Sequence, residues 1–176
     1  MTTTQVQALT ATNVAGLVDT QVAAMTTSQV AALTTTQLAA LDASDIGEFA
    51  ATQIAALTTA QVSALAATQL AALADTQVAA LTATQLGAIS STKFAALDET
   101  QVGALTATQV GALSTLHLQA LSNTEVSALD ATQVAALNGT QLRGFTATQL
   151  ASLASGDFAE FSASQVAQFS TTQVRG

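Results

Sequence analysis

The chain has no cysteine, proline, tryptophan or tyrosine, and its only basic residues are Lys93, Arg143 and Arg175. Without cysteine there is neither a disulfide framework nor a thiol nucleophile. Three scattered cations within a net charge of -8 give no basic face, which argues against nucleic acid and anionic membranes as partners. Thr and Gln interrupt every apolar stretch well short of eighteen residues, so no transmembrane segment is expected. The amino terminus, MTTTQVQALT, has no basic region followed by an apolar one, and no Sec-type signal peptide is expected there. Bulky side chains are scarce. With six Phe in 176 residues and a hydrophobic fraction of 49%, any core is thin and built from Leu, Val and Ala, as suits a repeat array in which each unit buries a narrow strip against the next.

What is present is one octapeptide in unbroken phase. From Thr2 onward every residue falls in register with T-x-T-Q-V-A-A-L, giving twenty-two copies of which the last lacks its eighth residue. We number the octads from residues 2–9 and their positions one to eight. Position five is Val, Leu, Ile or Phe in all twenty-two copies, and position eight is large and apolar in all twenty-one copies that possess it. Position four is Gln in sixteen copies, and position three is Thr or Ser in nineteen. Perfect phase means one structural unit repeated along an axis.

The octad carries two helix-start signals. Position one is Ser, Thr, Asp or Asn in seventeen copies, with Gln usually three residues later, the spacing of a capping box. The apolar residue at position eight then sits just before the cap and packs on position five, a hydrophobic staple. Each octad is therefore read as one helix of roughly six residues, about 9 Å long, followed by a tight re-entry. A continuous helix is excluded because eight residues overshoot two turns by about 80°, so the Leu stripe would wander. A β-solenoid, favoured by Thr and Val, conflicts with bulky positions spaced three apart. The expected fold is an all-α solenoid of about twenty-two very short helices forming a single domain over residues 2–176. Its spine is Leu9, Val22, Leu33, Leu41, Leu57, Leu73, Leu81, Leu97, Leu105, Leu113, Leu129 and Leu137. Small residues at positions six and seven let helices approach closely. Position four is expected to act only as a cap, so that Gln101→Ala costs about 1 kcal/mol or less.

Departures from the repeat are the natural candidate sites. Residues 42–49, DASDIGEF, and 154–161, ASGDFAEF, both replace Gln by Asp (Asp45, Asp157), the small seventh residue by Glu (Glu48, Glu160) and the terminal Leu by Phe (Phe49, Phe161). Asp42, Asp45 and Glu48 are too sparse for a calcium loop, and the favoured reading is a helix-start acid with Phe filling a wider gap. His117 stands alone at a Gln position, with no second His and no Cys, far short of a metal or catalytic set. No nucleophile elbow or Ser, His and Asp constellation occurs. The chain is accordingly read as a non-enzyme with no catalytic residue, metal or cofactor, and no small-molecule ligand is expected.

Runs such as TTSQVAALTTTQLAAL and ATQVAALNGTQL resemble the T-x-x-Q-[VIL]-x-A-L octapeptide arrays of large bacterial secreted and surface proteins, those labelled adhesion or haem-utilisation proteins. The resemblance covers the whole chain. It implies an extracellular or cell-surface location and a structural or adhesive role; no haem-binding motif accompanies it. Two functions follow as expectations. One is a filament subunit or surface spacer whose partner is itself, associating head to tail because neither end looks sealed. The alternative is an ice-binding or surface-adsorbing protein using a regular ladder of Thr4, Thr12, Thr20, Thr36, Thr52 and Thr68.

Overall fold

A computed structural model describes Met1–Arg175; Gly176, the last residue of the expected domain, lies outside the described residues. Among the described residues there are twenty-two helices and no strand, one helix per octad. They are four to six residues long, from Ser91–Phe94 to Thr35–Ala40. The all-α solenoid expectation holds, and so does its phase: every helix named with an N-cap begins just after position one.

Local chemistry sets the start of each helix. At Thr34 the side-chain oxygen accepts from the Gln37 N–H at 3.1 Å, while Gln37 Oε1 accepts from the Thr34 N–H at 2.7 Å, a reciprocal capping box. Where position one is Val18, Ala50, Ala66 or Ala74, the first half of the box is missing, but the Gln oxygen still accepts from the cap N–H. The end of each helix is equally local. The N–H of position eight donates to the carbonyl of position five, as in Leu41 to Leu38 at 3.2 Å. Positions eight and one then run extended, with Leu33 at φ -58, ψ 138 and Thr34 at φ -75, ψ 158. The corner is thus two extended residues, and no described residue has a positive φ. Sparse glycine follows, because the re-entry never visits the left-handed region.

Helices this short have too few internal bonds to stand alone in water, so their stability comes from stacking. The chain divides into two compact units, Met1–Ile89 and Ser90–Gly176, and the same rule holds inside each. In the first, Ala11–Ala15 packs on Thr35–Ala40, which packs on Thr59–Ala64 and then on Ala83–Gly87; in the second, Ser91–Phe94 packs on Thr115–Ala120 and then on Gly139–Leu142. Every third helix is a neighbour, while side-chain bonds reach back four octads. One turn of the coil therefore closes after three to four octads, so successive octads rotate by about 90 to 120°.

The interior of each coil is lined by positions five and eight. Position five is the more deeply buried, with Val62, Leu86, Phe94 and Val110 at 0% exposure, each stabilised by about 1.5 to 3 kcal/mol through burial. Of the expected spine, Val22, Leu33, Leu41, Leu57, Leu73, Leu81, Leu97, Leu105, Leu113, Leu129 and Leu137 are buried, and Leu9 is half-buried in the first octad. Close helix approach occurs at position six: a Cβ on Gly111 would lie 3.2 Å from the Ala136 carbonyl oxygen, twenty-five residues on. Ala80, at position seven, is half-buried.

Candidate functional site

The side chain that organises each coil is the position-four Gln. Gln69 is only 4% exposed. Its Oε1 accepts from the Ala66 N–H at 2.8 Å, and its Nε2 donates to the carbonyls of Leu38 at 2.9 Å and Leu41 at 2.8 Å. Gln37, Gln141, Gln149 and Gln173 repeat the pattern, always to carbonyls thirty-one and twenty-eight residues earlier. One end of the amide caps its own helix and the other meets the position-five and position-eight carbonyls one coil back, the first already accepting from its own C-cap N–H and the second lying beyond the helix end. The expectation that Gln serves only as a cap is corrected here: Gln101 is 1% exposed, buried as deeply as the spine.

The substituted octads reveal what this clamp tolerates. His117, 4% exposed, uses Nδ1 to accept from the Ser114 N–H at 3.2 Å, which leaves the ring proton on Nε2, and its ring lies 5.0 Å from that of Phe94. It caps its helix as the position-four Gln does, in keeping with its reading as a Gln substitute. Asp45 accepts from the Asp42 N–H at 2.8 Å while Asp42 accepts from the Asp45 N–H at 2.9 Å, so both carboxylates are engaged as caps. Beside them Glu48 is exposed and Phe49 is buried. Among the described residues no three His, Asp or Glu side chains gather in a metal-binding group. Asp157 caps Ala154 at 3.2 Å, one Glu160 oxygen is buried without a hydrogen-bond partner, and Phe161 packs 5.9 Å from Phe158 and 5.4 Å from Phe169. An apolar cleft of about 220 Å³ lies alongside, lined by Leu150, Ala151, Phe158, Phe169, Gln173 and Val174.

The outer face belongs to positions one and three, exposed in every copy. Thr4, Thr12, Thr20, Thr36, Thr52 and Thr68 all lie on it. Successive octads turn relative to one another, so Thr4, Thr12 and Thr20 lie on different sides of the coil, while Thr4, Thr36 and Thr68 are each four octads apart, the reach of the Gln clamp. One acid on this face is electrostatically distinct. Asp98 is held below the usual carboxylate range chiefly by the Gln101 N–H at 2.9 Å, with the Thr100 hydroxyl at 2.7 Å assisting.

Residues 78–115 match the model of the ALTTAQ repeat family, and the string ALTTAQ itself occurs at residues 56–61. No curated protein matches the chain. Capped helix and extended corner recur in octad after octad: the chain is a repeat protein, similar over residues 78–115 to the ALTTAQ repeat.

Proposed function

We propose that this is a non-catalytic structural protein, a self-assembling filament subunit or spacer of a secreted or surface protein of the adhesion type. The exterior location rests on the resemblance of its octads to surface-protein arrays. Self-assembly rests on one observation: the clamp is directional. Every donor lies in the later octad and every acceptor in the earlier one. Gln5 and Gln21 cap their helices, and among the described residues their Nε2 groups have no acceptor. A second copy placed head to tail offers these amides position-five and position-eight carbonyls by the rule already used within the chain. Such a heterologous contact extends into fibres unless its rotation closes a ring. The apolar cleft beside Val174, itself 66% exposed, supplies hydrophobic area at the same end.

The test is sedimentation and negative-stain microscopy across a wide concentration range. Concentration-dependent linear species are expected, weakened by the double change Gln5→Ala and Gln21→Ala with helicity intact, since neither side chain clamps within the chain. A strict monomer at all concentrations refutes self-assembly. The ice-binding alternative is favoured by the exposure of its Thr ladder and opposed by the rotation between octads; absence of thermal hysteresis removes it.

A further inference from the structure

The chain contains one clamp in which the donor has been replaced by an acceptor of the same shape. Glu125 occupies position four of the octad 122–129 and is 9% exposed. Its Oε2 accepts from the Ser122 N–H at 2.7 Å and its own N–H donates to the Ser122 hydroxyl oxygen at 3.3 Å, so the capping half of the clamp is intact. The other carboxylate oxygen then takes the place that Nε2 takes in Gln. In the next octad Gln133 sets that nitrogen 2.6 Å from the Leu105 carbonyl and 3.3 Å from that of Val102. The same offsets from Glu125 name the carbonyls of Leu97 and Phe94. By these offsets Oε1 stands toward two carbonyl oxygens where other octads set a nitrogen. Among the described residues Glu125 has no ion pair, and Oε1 receives no hydrogen bond.

Oxygen lone pairs set toward one another repel unless something positive lies between them. From this geometry we propose that Glu125 Oε1, with the main-chain carbonyls of Phe94 and Leu97, forms a site for a hard cation, and that the ion replaces the missing amide donor in bridging the two coils. All-oxygen ligation with one carboxylate and two carbonyls suits Ca²⁺ over soft metals; water completes the shell, and a single charged ligand places the affinity near millimolar. The site differs from a carboxylate cluster because its neutral ligands are main-chain groups fixed by the repeat.

The experiment is thermal unfolding of the full chain, followed by circular dichroism, in chelator and in 10 mM CaCl₂, with NaCl at matched ionic strength. The wild type is expected to gain about 3 °C in Ca²⁺. Glu125→Gln restores the amide donor, and is expected to melt higher than wild type in chelator and to lose the Ca²⁺ response. Glu125→Ala is expected to melt lower and also to lose it. An equal Ca²⁺ shift in wild type and Glu125→Gln would mean general screening of the acidic surface and overturn the proposal. So would a wild type indifferent to Ca²⁺, or one stabilised by acidification alone, in which case a proton fills the place. None of these outcomes bears on self-assembly, which is read separately by sedimentation.

Discussion

Replacing a buried clamp such as Gln69 by Ala removes three hydrogen bonds at once. The Ala66 N–H loses its only side-chain cap, because Ala66 offers none of its own, at about 0.5 to 1 kcal/mol. The Leu38 and Leu41 carbonyls lose their amide donor inside a coil where Leu38 is 0% and Leu41 4% exposed. An unsatisfied buried polar group costs about 1 to 3 kcal/mol. The Leu38 carbonyl keeps the Leu41 N–H at 3.2 Å, so the penalty falls mainly on the Leu41 carbonyl and the total is about 2 to 4 kcal/mol. The control is Gln21→Ala. Gln21 caps Val18 at 3.0 Å but reaches no earlier coil, so its loss is expected to cost 1 kcal/mol or less. Urea unfolding of both variants, combined with amide exchange of the Leu41 region, measures the difference. Equal losses would mean that Gln acts only as a helix cap and that the contacts across coils contribute nothing.

Other sites are predicted with sign. A Cβ at Gly87 meets nothing within 4 Å, so Gly87→Ala is expected to stabilise by about 0.5 to 1 kcal/mol. A Cβ at buried Gly144 falls 2.9 Å from Thr115 Cβ and 3.0 Å from the Gln141 carbonyl oxygen, and Gly144→Ala is expected to destabilise by about 1 to 3 kcal/mol. Denaturant midpoints of this pair should move in opposite directions. Leu105→Ala, at a spine position 3% exposed, is expected to cost about 2 to 5 kcal/mol, read in the same assay. Asp98 has a folded pKa below its unfolded value, so its stabilising contribution is present above the unfolded pKa and is lost as pH falls through the folded one; carboxyl titration by NMR should give a midpoint below that of a model peptide, and Thr100→Val should raise it.

Helix boundaries were legible because they are set within one octad. Thr34 and Gln37 see each other across three residues, and the phase of their box fixes where each helix starts. The clamp was hidden because its partners lie twenty-eight and thirty-one residues away and the capping box already gave Gln a sufficient local reason. One signal did point to it. A capping box needs only an acceptor at position four, which Glu supplies as well as Gln, yet Gln fills sixteen copies and Glu one. A preference for the amide over the carboxylate implies that a donor is also required, and a donor with no local target implies a distant one. Exposure of the Thr ladder was not readable for a related reason: it depends on how the coil turns, and no single octad encodes that.

The reach of the clamp also governs how such a chain acquires its structure. A carbonyl pair meets its Gln only after twenty-eight to thirty-one further residues exist, so an array shorter than about five octads contains no clamp and cannot hold its first turn by this means. Once a turn is closed it becomes a template, offering each new octad a carbonyl pair at fixed offset and reducing the remaining search to a local fit. Folding is therefore slow to nucleate and rapid to propagate, zipping from a finished coil toward the carboxyl end in the direction of synthesis. A growing chain would add structure at a constant lag behind its newest residue.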